Sequence, residues 1–75
     1  MEKSTYSFYI ETTWTARQLQ VLDLIADGFT NDEIGKKLFM SKRTAEVIRA
    51  ILLLKTGSRN AASLVAFGFR HGILK

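Results

Sequence analysis

The chain has 75 residues, with eleven Lys and Arg against seven Asp and Glu, one histidine, and neither cysteine nor proline. That length holds one domain around one small core. The missing thiols exclude disulfides, thiolate metal sites and cysteine nucleophiles, and the lone His71 excludes a histidine-rich zinc site.

With 47% hydrophobic and 24% charged residues, the composition is globular and not disordered. The longest apolar run, Ala50 to Leu54, falls far short of the roughly 20 residues that span a bilayer, so no membrane partner is expected. No apolar signal region follows Met1-Glu-Lys-Ser-Thr, and a reducing cytoplasm is the expected compartment. Charge is unevenly divided. Residues 1–35 carry two basic side chains against six acidic ones, a balance of −4, while residues 36–75 carry nine basic side chains against Glu46 alone, a balance of +8. That polarity suits a polyanion meeting the second half.

Residues 1–13 lack a helical pattern. Tyr6, Phe8 and Ile10 alternate with Ser7, Tyr9 and Glu11 at a period of two, which fits a short strand or an aromatic arm laid over helices. A strand would need a pairing partner from a second copy or another protein. The first helix follows Thr15, which forms a Thr-x-x-Gln capping box with Gln18. Leu19, Leu22, Ile25 and Ala26 recur at helical spacing beside Val21, and Gly28 supplies the stop. Thr30 and Glu33 form a second capping box for a helix of barely two turns, with Ile34 and Leu38 as its apolar stripe.

Phe39-Met40-Ser41 follows. Ser41 is an N-cap, so only two residues separate the helices, and so short a connection forces the steep crossing of a helix-turn-helix. Phe39 is expected in a left-handed conformation, at a cost of about 1 kcal/mol. The third helix runs from Lys42 to Thr56 and stops at Gly57, with Ala45, Ile48 and Leu52 as its core stripe. Asn60 caps a fourth helix, in which Ala61, Leu64, Val65 and Gly68 share a face. Phe67, Phe69, Ile73 and Leu74 add apolar weight near the end. The expected architecture is all-α: a compact four-helix domain with a helix-turn-helix over residues 14–75, preceded by a short non-helical tail over 1–13.

Two features of the third helix carry functional weight. Ser41, Lys42, Arg43 and Thr44 lie at its N-terminus, where free amides and the helix dipole favour anions. Lys36 and Lys37 extend this basic surface on one side, and Arg49, Lys55 and Arg59 extend it on the other. These residues suit phosphate anchoring, which gives affinity without sequence choice; solubility is the plainer role for them. In addition, Val47, Ile51 and Leu54 make a second apolar face beside the core stripe. Either the tail residues Tyr6, Phe8 and Ile10 cover it, or another chain does. No nucleophile–base pair, paired carboxylate site or phosphate-binding glycine loop is visible, so neither an enzyme nor a cofactor is expected.

From Trp14 onward the sequence resembles the LuxR/GerE family of helix-turn-helix DNA-binding domains. Trp14-Thr-Ala-Arg-Gln-Leu-Gln-Val-Leu is similar to the family's Leu-Thr-x-Arg-Glu-x-x-Val-Leu. Gly28-Phe-Thr-Asn-Asp-Glu-Ile-Gly is similar to Gly-x-Ser/Thr-Asn-x-Glu-Ile-Ala. Ser41-Lys-Arg-Thr-Ala-Glu-Val-Ile-Arg-Ala-Ile-Leu-Leu-Leu-Lys is similar to Ser-x-x-Thr-Val-Lys-x-His-x-x-x-Ile-x-x-Lys. The resemblance implies bacterial transcription regulation by dimers on double-stranded DNA. The domain is usually fused to a receiver or ligand-sensing module, and the chain is either a standalone member or an excised output domain.

It further implies base reading at Glu46, Val47 and Ala50, backbone contacts at Thr30 and Asn31, and a dimer contact through Ala61, Ala62, Leu64, Val65 and Gly68. Glutamate can accept from a cytosine amino group, and Val47 and Ala50 can meet thymine methyls. The sequence departs from the family at Gln18, Glu46, Ile48, Ile51 and Thr56. These departures motivate an alternative: a protein-interaction module on the same fold, binding its partner through Val47, Ile51 and Leu54.

Overall fold

The computed structural model describes residues 14–75. The strand or arm expected of Tyr6, Phe8 and Ile10, and their expected cover of the third helix, lie outside the described residues. Among the described residues there are four helices and no strand: α1 (Ala16–Ala26), α2 (Asn31–Leu38), α3 (Lys42–Thr56) and α4 (Ala61–Arg70).

Each helix starts where a side chain can satisfy its orphan amides. The Thr15 hydroxyl accepts from the Gln18 amide at 3.0 Å and the Gln18 Oε1 accepts from the Thr15 amide at 3.1 Å. Thr30 and Glu33 repeat the arrangement at 3.2 and 2.8 Å. Ser41 and Asn60 cap α3 and α4 through the amides of Thr44 and Ser63.

The core is Val21, Leu22 and Ile25 of α1, Ile34 of α2, Ala45 and Leu52 of α3, Leu64 of α4, and Leu74 beyond it. α1 contacts α2, α3 and α4, so its buried arc centres on Val21 and Leu22. Leu19, expected in the stripe, stands at the exposed edge of that arc. Thr56 is the one buried polar residue among the described residues. Its hydroxyl donates to the Leu52 carbonyl at 2.8 Å, which removes the cost of an unpaired buried polar group.

α2 and α3 make the most extensive pairing. Phe39 takes φ 57° and ψ 45°, the left-handed turn expected of it. The Met40 amide then donates to the Gly35 carbonyl at 2.9 Å. This closes α2 and turns the chain into α3. At the other end, the Leu74 amide bonds the Gly68 carbonyl at 3.0 Å, and the Leu74 side chain folds back over Gly68. A Cβ on Gly68 would stand 2.6 Å from the Leu74 Cδ1. No helix of the described residues is long and apolar enough to cross a membrane.

Candidate nucleic-acid interface

Helical spacing divides α3 into opposed rows. Ala45, Leu52 and Thr56 are buried, and they define the inward row with Arg49 between them at i+4. Arg43, Val47, Ala50 and Leu54 follow i, i+4, i+7 and i+11, which forms the outward row, with Ile51 beside it. Val47 is 41%, Ile51 44% and Leu54 83% exposed. The outward face of α3 is thus an apolar strip open to solvent among the described residues.

The N-terminal end of this strip is polar and cationic. Ser41 Oγ accepts from the Thr44 amide at 3.0 Å and donates to Thr44 Oγ1 at 2.9 Å. The Thr44 hydroxyl proton therefore remains available to an outside acceptor. The amides of Lys42 and Arg43, in the first turn, have no intrahelical acceptor, so the helix dipole and two cationic side chains meet there.

Arg43 is not a free cation. Its Nη1 lies 3.6 Å from Glu46 Oε1, one turn along. Glu46, expected as a base reader, is thereby paired within its own helix. On α2, Lys36 pairs with Asp32 at 3.3 Å. Lys37 lies 5.1 Å from the Phe29 ring centroid; it has no carboxylate partner among the described residues. Thr30 uses its hydroxyl oxygen on the Glu33 amide and keeps a proton to donate. Asn31 stands beside it at the start of α2, with its Oδ1 buried and unpartnered among the described residues.

Three of the expected contact residues lie elsewhere. Arg49 is half-buried on the inward row. Lys55 turns to α1: its Nζ donates to Gln18 Oε1 at 2.9 Å and lies 4.9 Å from the Trp14 ring centroid. Burial holds its pKa below the usual lysine value. Arg59 lines a cleft of about 310 Å³ with Ser63, Phe67, Arg70 and His71, past the far end of α3 and about 22 Å of helix from Lys42. His71 is the C-cap of α4 and stacks on Phe67, with ring centroids 4.0 Å apart.

The departures at Gln18, Ile48 and Thr56 are absorbed by packing: Ile48 lies against the core, Gln18 holds Lys55, and Thr56 bonds its own helix.

The set expected for a dimer contact also divides. Leu64 and Gly68 are buried by this chain's own atoms, because the face shared by Ala61, Leu64, Val65 and Gly68 is the one α4 turns to the core. Ala61 and Val65 sit at its edge and Ala62 is exposed. The outward row of α4 is Ala62, Val65, Ala66 and Phe69 at i, i+3, i+4 and i+7, with Phe69 exposed. Ala66 joins this row, and Phe69, expected only to add apolar weight near the end, belongs to it; their i+4 and i+7 spacing from Ala62 is the sequence signal for both.

The family described as bacterial regulatory proteins, luxR family, matches residues 12–67. The response regulator Rre1 of Synechocystis sp. is 38% identical over 64 residues, covering 85% of this chain and 28% of that protein. The oxygen regulatory protein NreC of Staphylococcus aureus is 36% identical over 59 residues, covering 79% of this chain and 27% of that protein. The chain thus spans less than a third of the length of these relatives. No solved structure matches.

Proposed function

The chain belongs to the luxR family of bacterial regulatory proteins, and from that premise we propose that residues 14–75 bind double-stranded DNA to regulate transcription in the bacterial cytoplasm. α3 enters the major groove with its N-terminus foremost. Lys42, Arg43, Thr44 and Ser41 anchor phosphates, with Thr30, Asn31, Lys36 and Lys37 on the flanking backbone. Glu46, Val47 and Ala50 face the bases. Two copies meet through the outward row of α4, at Ala62, Val65, Ala66 and Phe69. Such a dimer places two α3 helices on half-sites about one helical turn apart.

The observation that supports this reading best is the outward row of α3, open to solvent directly beside a cationic helix N-terminus. Selection from a random duplex library tests it. The expected product is a recurring pair of half-sites bound several kcal/mol more tightly than random sequence. Enrichment of nothing over the starting pool would contradict it.

The exposed Val47, Ile51 and Leu54 favour a second reading, a protein-interaction module on the same scaffold. In that case Ile51→Asp and Leu54→Asp abolish partner binding while circular dichroism shows the helices intact, and DNA binding is absent from the start.

A further inference from the structure

The outward row of α3 has an unusual chemistry for a base-reading surface. Hydrogen-bond readout in the major groove needs donors or acceptors aimed at base edges: arginine or lysine for guanine, asparagine or glutamine for adenine. The polar side chains on this side are Arg43 and Glu46, paired with each other at 3.6 Å, and Thr44 at its N-terminal end. The remaining outward residues are Val47, Ala50, Ile51 and Leu54, all exposed and without a polar side-chain atom. One feature of the groove matches an apolar side chain, the 5-methyl group of thymine.

Resting on the DNA-binding reading above, we propose that α3 selects its site by burying thymine 5-methyl groups against Val47, Ala50, Ile51 and Leu54. Charge commits the strip to a nucleic acid. Lys42 and Arg43 stand at its N-terminal end, and Glu46, the single acid in residues 36–75, is paired with Arg43 at 3.6 Å. Val47 to Leu54 spans about 10 Å of helix, enough apolar surface to cover more than one methyl. The preferred half-site therefore contains a short run of A·T or T·A pairs whose methyls line the groove. Glu46 then discriminates little, because its carboxylate is already engaged.

Replacing thymine by uracil tests this, since the exchange removes the methyl and leaves pairing and phosphate charge unchanged. The probe is the duplex selected from a random library, compared with the same duplex carrying uracil at its half-sites. A buried methyl contributes roughly fourfold in affinity, so a half-site with two or three should lose about tenfold or more on the exchange. Val47→Ala and Leu54→Ala, both at exposed positions, should narrow the thymine-to-uracil ratio without changing the salt dependence. Equal binding of both duplexes, or a selected site lacking thymine at its centre, would overturn methyl reading while leaving DNA binding in place. Failure to bind any duplex at low salt would overturn both and assign the strip to a protein partner.

Discussion

Gly35 lies directly beneath the Met40 carbonyl: a Cβ at Gly35 would stand 2.6 Å from that oxygen, and 3.2 and 3.3 Å from the Ser41 carbonyl carbon and the Lys42 amide nitrogen. All three obstacles are backbone atoms of the turn, so in this chain α2 and α3 approach more closely than the alanine of the family's motif would allow without a shift of the turn.

Gly35→Ala should therefore force the joint open. Helix propensity favours alanine by about 1 kcal/mol, while overpacking against the backbone costs about 1–3 kcal/mol. A net loss of about 1 kcal/mol in urea denaturation is expected, together with weaker DNA binding as α3 tilts. Unchanged stability would mean that the turn adapts freely.

Much of this fold is legible in the sequence. Thr15 with Gln18 and Thr30 with Glu33 mark helix starts by spacing alone, and the two residues before Ser41 dictate the steep crossing. What the sequence leaves open is what lies against each face of a nearly all-apolar helix. Spacing separates Ala45 in the core stripe from Leu54 on the second face, as the burial of one and the exposure of the other bear out, but it does not say whether anything covers that second face. The same holds for the cations of the candidate site. Lys42 and Lys55 are equally basic in composition, but Lys55 is tied to Gln18, 37 residues away, and no local pattern encodes that pairing. Leu64 and Gly68, a dimer contact by the resemblance, are buried by this chain's own atoms; small or aliphatic character does not say which side of α4 the core occupies.

Phe39 is 97% exposed in a left-handed conformation. It loses conformational energy and gains no packing. Phe39→Asn should raise stability by about 0.5–1 kcal/mol, because asparagine tolerates this region better than a bulky side chain. A thermal or urea melt checks it. A destabilised variant would show that the ring makes a contact worth more than the strain.

Lys55 reports on the seam between α1 and α3. Burial lowers its pKa, so between its folded value and the usual lysine value the unfolded chain holds more protons. Stability accordingly rises as pH climbs through that window, and the cost is felt in full below it. Gln18→Glu places a carboxylate where Oε1 now accepts the Lys55 ammonium at 2.9 Å. The Lys55 pKa should rise, and the pair should add no more than about 1 kcal/mol, since it is partly solvated. That gain requires the new carboxylate to be ionised, so it is present between the ordinary carboxylate range and the lysine's unfolded value and disappears as pH rises past the lysine's new folded one. NMR titration of the Lys55 side chain reads the shift, and an unmoved pKa would rule out the contact.

Glu46→Gln removes the carboxylate that holds Arg43. Arg43 then engages its phosphate without a competing carboxylate, and repulsion between Glu46 and the backbone disappears. Affinity should rise for all duplexes alike, and the slope of log K against log salt should steepen by about 0.9. A change in sequence preference at one base pair, with no change in slope, would instead make Glu46 a base reader.

The central claim is that a polyanion docks on the outward side of α3, and the salt dependence of duplex binding tests it most directly. Lys37 and Lys42 have no carboxylate partner among the described residues, and two phosphates neutralised give a slope of about −1.8. The measured slope should be at least that steep and should shrink by about 0.9 in Lys42→Ala. Affinity that stays flat across the salt series, or no binding even at low salt, would contradict the account.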